Sequence, residues 1–239
     1  MRLILRTFAG PSADAVAEIT IAVDGPASSG KGTVARRVAE TLGYAFVDTG
    51  AMYRAVGLYA LRRGISPADA AATSEIARCI QFAFDWHGGK LRVFADREDV
   101  SYAIRGELVG AAASAVAVHP GVRGALLDTQ RSLGAGGGVV MDGRDIGTVV
   151  LPDAQLKIFL DASLEERARR RHAESPGRRY NDVYEELEAR DRQDAGRVVA
   201  PLRQADDAVR IDSTGRPIDA VVAQVIALAR ARGARRGEG

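Results

Sequence analysis

The chain has 239 residues, 46% of them hydrophobic, and a formal net charge of +2. That length and apolar share suit one substantial core and leave no room for a second full domain. A single cysteine, Cys79, excludes an intramolecular disulfide, and no apolar run is long enough for a signal peptide or a transmembrane helix, so a soluble protein in a reduced cytoplasm is expected.

In chain order, residues 1–18 carry no usable pattern and read as an N-terminal extension. Ile19 to Val23 is rich in β-branched residues and predicts a buried strand, while Val34, Ala35, Val38, Ala39 and Leu42 recur at helical spacing. Between them lies Gly25-Pro26-Ala27-Ser28-Ser29-Gly30-Lys31-Gly32-Thr33, a loop of the kind that cradles a triphosphate. Its glycines let backbone N–H groups turn toward phosphate oxygens, the helix N-terminus adds partial positive charge, and Lys31 reaches the β- and γ-phosphates. The hydroxyl that often ligates magnesium after the lysine is displaced by one place, from Gly32 to Thr33. Only three of the 33 cations are lysines (Lys31, Lys90 and Lys157), and no Asn-Lys-x-Asp element exists to read guanine, which disfavours a GTPase switch.

Ala45 to Asp48 predicts a second strand, and Thr49 is expected to cap a helix running through Met52, Val56, Ala60 and Leu61 to Gly64. Two readings stand for Thr49 and Arg54: ligands at the sheet edge, with Arg54 clamping a second phosphate, or a plain cap and a solvated arginine. Cys79, in Ile76-Ala77-Arg78-Cys79-Ile80, is expected to be a small buried helix residue. Phe82 to Phe84, a turn at Trp86-His87-Gly88-Gly89 and Leu91 to Phe94 predict a hairpin, with an extended piece near Val100. This is read as a small antiparallel insert spanning about residues 66–110.

Val139 to Asp142 predicts a strand that ends in Asp142-Gly143-Arg144-Asp145-Ile146-Gly147-Thr148. Asp142 is the end-of-strand carboxylate suited to magnesium or its waters. A further strand, Leu156 to Leu160, precedes the capping box Ser163-Leu164-Glu165-Glu166 and a helix with Arg167, Arg169, Arg170 and Arg171. After the Pro176-Gly177 break a second helix starts near Asp182, and spacing puts Arg190, Asp194 and Arg197 on one of its faces, as ligands or as surface ion pairs. Dense arginine over about residues 163–200 reads as a lid. Val209 to Ile211 is the last strand, and residues 231–239 form a basic tail, read as a solvated, frayed helix end. His87, His119 and His172 show no metal-ligand spacing. Five strands alternating with helices predict an α/β, doubly wound parallel sheet with its chemistry after residues 23, 48, 142 and 160.

Together the phosphate loop, Asp48-Thr49-Gly50-Ala51-Met52-Tyr53-Arg54, Asp142 to Val150, Phe159-Leu160-Asp161-Ala162-Ser163 and Ala200-Pro201-Leu202 resemble bacterial cytidylate kinases over about residues 19–228. The resemblance implies the nucleoside monophosphate kinase fold and magnesium-dependent transfer from ATP to CMP and dCMP. By position it gives Arg54 and Arg144 to the acceptor phosphate, Thr49, Arg190 and Asp194 to the sugar, and Ser114, Arg123, Asp145 and Arg197 to the base. Arg167 and Arg170 resemble the lid residues that reach the triphosphate, with Arg169 and Arg171 as neighbours that leave the assignment open. Cytosine offers a 4-amino donor and an N3 acceptor where uracil reverses both, so a carboxylate beside an arginine discriminates between them. The competing readings are a kinase for UMP or AMP, a P-loop ATPase and, resting on the tail alone, a nucleic-acid binder. Small-molecule substrates, no nucleic acid, no membrane and a monomer are expected.

Overall fold

A computed structural model describes residues 18–87, 90–175 and 177–235. The extension to residue 17, the Gly88-Gly89 turn, Pro176 and residues 236–239 lie outside the described residues. So do the side chains of Trp86, His87, Lys90 and Leu91.

Five strands form one parallel sheet: β1 (Thr20–Asp24), β2 (Ala45–Asp48), β6 (Val139–Gly143), β7 (Leu156–Asp161) and β8 (Val209–Asp212), in the order β2-β6-β1-β7-β8. Register places Asp24 of β1 beside Gly143 of β6 and Phe159 of β7. Side chains alternate across the sheet as a period of two requires. Ile21 and Val23 face one layer with Val34 and Val38 of α1 (Lys31–Leu42) and Val221 and Val225 of α8 (Ile218–Ala231), while Ala22 packs on the other face with Met141 and Val150.

The second core belongs to α2 (Thr49–Arg62), α3 (Ala70–Cys79), α4 (Glu107–Val116), α5 (Pro120–Gly134) and a small antiparallel sheet of β3 (Phe82–His87), β4 (Lys90–Ala95) and β5 (Glu98–Asp99). The hairpin and the extended piece are as expected. A helix through Ile76 to Cys79 is as expected and is the end of α3, whereas α4 and α5 are additions to the sequence reading; α4 is alanine-rich and carries little periodic contrast. Gly57 lets α2 and α4 touch: a Cβ there would lie 3.0 Å from Ala113 N and from the Ala112 methyl. Gly57→Leu should therefore force the helices apart and cost about 1–3 kcal/mol, read as a fall in denaturant midpoint. An unchanged midpoint would show that the helix contact is slack.

Four local expectations are corrected. Asp48, not Thr49, caps α2, accepting from Ala51 N at 3.2 Å, because its shorter reach to the first free amides suits a carboxylate one residue earlier. Cys79 is exposed, since Ile76, Ala77 and Ile80 take the inward face and its thiol instead donates to Glu75 one turn back. The helix after the break, α7 (Tyr180–Ala195), starts before Asp182 and ends before Arg197, which follows its Gly196 cap. The tail is not wholly solvated: Gly233 turns the chain with φ +93° and Ala234 buries against the first core. Ser163 does cap α6 (Leu164–Glu174), accepting from Glu166 N at 3.2 Å. Among the described residues no helix is long and apolar enough to cross a membrane.

Candidate functional site

The carboxyl ends of β1, β2 and β6 open onto a cleft of about 350 Å³, within the size range of small-molecule sites. Its floor is the loop between β1 and α1. Gly25 sits so close to β7 that a Cβ would fall 2.0 Å from Leu160 O, and Gly30 caps α1 at φ +87°. Ser28 also takes positive φ, 59°. These turns bring Ala27, Ser28, Lys31 and Gly32 to the cleft wall.

Lys31 is buried and donates to Pro26 O at 3.2 Å. Burial, with Arg144 adding repulsion, pushes its ammonium down to about 7. Across from it, burial and the neighbouring Asp48 charge push the Asp142 carboxyl up to about 7, against the pull of Lys31. Asp142 Oδ1 is buried without a hydrogen-bond partner among the described residues. Asp142 Oδ2 faces Gly32, whose Cβ would lie 3.2 Å away. Thr33 is exposed and off the cleft wall: one residue further along α1 turns its side chain about 100° away from Asp142. The hydroxyl expected to share a metal with Asp142 is thus not brought to it. No trio of His, Cys, Asp or Glu among the described residues is placed to hold a metal by itself.

Above the floor, arginines converge. Arg54 donates to Asp48 at 2.5 Å, and although burial opposes the Asp48 charge, Arg54, Arg105 and Lys31 hold its carboxyl below the usual value. Asp194, 1% exposed, accepts from Arg144 Nε at 2.9 Å and from Arg197. Arg190 lies beside them with an unpartnered Nε; burial and the charges of Arg144, Arg54 and Arg197 lower it to about 10. Asp194 thus stands among three guanidiniums, and Arg190, lowered by its cationic neighbours, makes this part of the cleft a place where an anion would be favoured.

The side wall holds a buried donor and acceptor side by side. Arg123 donates to Asp145 at 2.5 Å and to Ala117 O at 3.3 Å, with its guanidinium over the Tyr53 ring at 5.5 Å. Thr49 lines the cleft and donates to Asp142 O at 2.8 Å, and Ser114 lines it while accepting from Gln193 of α7.

Arg167 and Arg170, the lid arginines named from the sequence, do not line the cleft but bond the phosphate loop itself. Arg167 donates to Ala162 O and Ala27 O, and Arg170 to Ser29 O and Ser213 O, so both brace the loop. Arg171 lines the cleft and pairs with Glu174 at 3.7 Å. On the wall also stand Arg171, which the sequence left as an open alternative, and Tyr53, Arg105 and Glu186, which sequence reasoning did not single out. Tyr53 lies in the Asp48-to-Arg54 motif, whereas Arg105 and Glu186 carry no sequence signal.

A family model described as cytidylate kinase matches residues 21–231. The cytidylate kinase of Citrifermentans bemidjiense is 49% identical over 208 residues, covering 85% of this chain and 89% of that protein. That of Geobacillus kaustophilus is 49% identical over 220 residues, covering 90% and 97%. Among solved structures, an uncharacterized protein from Eubacterium ventriosum aligns with TM-score 0.52 and 11% identity over 90% of this chain and 99% of that one, a likeness of fold alone.

Proposed function

The chain belongs to the cytidylate kinase family, and from that premise we propose how its cleft divides the work of phosphorylating CMP and dCMP with ATP. The observation that carries the reading is the Arg123–Asp145 pair on the wall beside a cluster of under-neutralised arginines. Asp145 accepts the 4-amino group of cytosine, and Arg123 donates to the N3 and O2 edge, with Tyr53, Ser114 and Arg197 closing the base pocket. Arg54, Arg144 and Arg190 take the acceptor phosphate, and Thr49 and Asp194 the sugar side.

The mechanism needs no protein base. The acceptor phosphate has a second pKa of about 6 and is already largely ionised near neutrality. What the chain supplies is alignment of that oxygen with the γ-phosphorus, positive charge on the transferring group, and exclusion of water. Lys31 and the loop amides of residues 27–32 hold the triphosphate, and Arg171 approaches it from α6. Magnesium, when bound, would screen the phosphate charge; Asp142, with its orphaned buried oxygen, would hold it or its waters, the small carboxylate share usual for this ion. Residues 19–230 act as the kinase domain, with the insert near 66–110 as acceptor side and 163–200 as lid. We read the enzyme as a cytoplasmic monomer acting on small-molecule substrates, with no nucleic acid or membrane in its work.

ADP release with ATP plus CMP, dCMP, UMP, AMP or no acceptor tests this. CMP and dCMP should lead, and ATP alone should turn over slowly; comparable rates without acceptor would make the protein an ATPase. Asp145→Asn keeps the shape but presents an amide donor, so kcat/KM for CMP should fall more than for UMP, narrowing discrimination by about 1–3 kcal/mol. Parallel losses in a variant that melts like the parent would remove Asp145 from the base pocket.

A further inference from the structure

Asp24, the last residue of β1, is buried, and its two carboxylate oxygens accept from consecutive amides: Ile146 N to Oδ1 and Gly147 N to Oδ2, both at 2.8 Å. Those amides open a wide helical turn over Ile146–Val150, whose i+5 bonds run from Val150 N to Asp145 O and from Leu151 N to Ile146 O. Such turns leave their first amides free. Asp145 itself, at φ −143° and ψ 24°, makes no side-chain cap to the turn, so its carboxylate is free for Arg123 while Asp24 does the capping from across the sheet.

We propose that Asp24 is a positioning residue for acceptor selectivity: by clamping the amides of Ile146 and Gly147 it fixes where the Asp145 carboxylate stands on the base wall. The role rests on the reading of Asp145 as the group that meets the base. Asp24 also immediately precedes the phosphate loop, yet its backbone is pinned on both sides, by Gly143 of β6 and Phe159 of β7. Losing the side chain's acceptors therefore loosens the turn carrying Asp145 while the strand that carries the loop stays in register. Burying a carboxylate here is costly, and burial together with the nearby Asp145 charge raises its carboxyl to about 6 despite the two amide bonds. A residue that served only to fill space between β1 and the turn would need no charge.

Asp24→Asn replaces one acceptor oxygen with an NH₂ that points at an amide N–H. In a variant that melts near the parent, the ratio of kcat/KM for CMP over UMP should fall about tenfold, chiefly through KM for CMP, with KM for ATP near the parent value. In an Asp145→Asn background the same change should produce no further fall in the ratio, because both act on one contact. If Asp24→Asn does not fold, Asp24→Ser, which keeps one acceptor oxygen but cannot reach both amides, should show the same loss of selectivity. An unchanged ratio, equal losses for CMP, UMP and ATP, or a full additive fall in the double variant would each overturn the proposal. Parental selectivity in Asp145→Asn alone would fail the base-wall reading, and the relay through it, whereas lost selectivity there with none lost in Asp24→Asn would fail only the role of Asp24.

Discussion

Lys31→Ala should abolish phosphoryl transfer in a protein that stays folded. The ammonium is held by a single bond to Pro26 O inside a wall that also carries Arg144 and Arg190, and burial has already lowered its pKa to about 7. A charge kept at such cost is not there for the fold. Its payoff comes when phosphate oxygens enter, and losing one preorganised cation on a transferring phosphoryl costs on the order of 3 kcal/mol or more in the barrier, at least about a hundredfold in rate. The sign of the stability effect follows from the lowered pKa. The unfolded chain binds the proton up to about 10.5 and the fold releases it near 7, so the penalty is full below pH 7 and fades as pH rises between those values. Removing the side chain relieves that penalty, and Tm near neutrality should stay within a few degrees of the parent. Steady-state assay and a thermal melt on the same sample decide it; near-normal turnover in a folded variant would sink the triphosphate assignment of the loop.

Asp194→Ala should do the opposite, damaging the fold and the acceptor site together. Asp194 is the one carboxylate bonded to both Arg144 and Arg197, and its charge also faces Arg190; burial opposes it, yet these three cations hold its pKa below the usual value. Without it, three guanidiniums remain crowded with that carboxylate gone, Arg144 keeping only its bond to Gly143 O at 3.0 Å. Removing one side of a buried ion pair costs about 3–5 kcal/mol, which for a domain of this size lowers Tm by about 10 °C. KM for CMP should rise as Arg144 and Arg190 spread apart. Inorganic phosphate offers the missing negative charge and should recover part of the lost Tm in the variant, more than it raises the parent's. A variant that melts like the parent would show that the cluster is solvated and relaxed, and the charge argument for the acceptor site would fall with it.

The strands were legible because short apolar runs at Ile19 to Val23, Ala45 to Asp48 and Val139 to Asp142, the first rich in β-branched residues, call for burial, and their spacing admits helices between. The loop was legible because Gly25 and Gly30 do what only glycine does well there. Which strand lies next to which was not legible, since pairing of β1 with β6 and β7 is a long-range matter. Errors at single side chains came from geometry finer than a motif. Thr33 is one helical step too far to face Asp142, and Arg197 lies beyond its helix end but still finds Asp194. Arg171, not Arg167 or Arg170, turns into the cleft because the other two are taken by loop carbonyls, competition that spacing alone does not reveal.

The central place of β1 carries a consequence for synthesis. Both strands that pair with Thr20–Asp24 come from the far half of the chain, β6 beginning at Val139 and β7 at Leu156. On a ribosome the apolar strand and its glycine loop emerge early and wait, with every ladder group unpaired, until those partners have been made. A nascent or truncated product that stops before residue 139 contains the entire phosphate-loop motif and lacks the sheet that shapes it. Such a fragment presents a sticky strand edge to other chains, and its first native neighbour for β1 appears only when translation has passed β6.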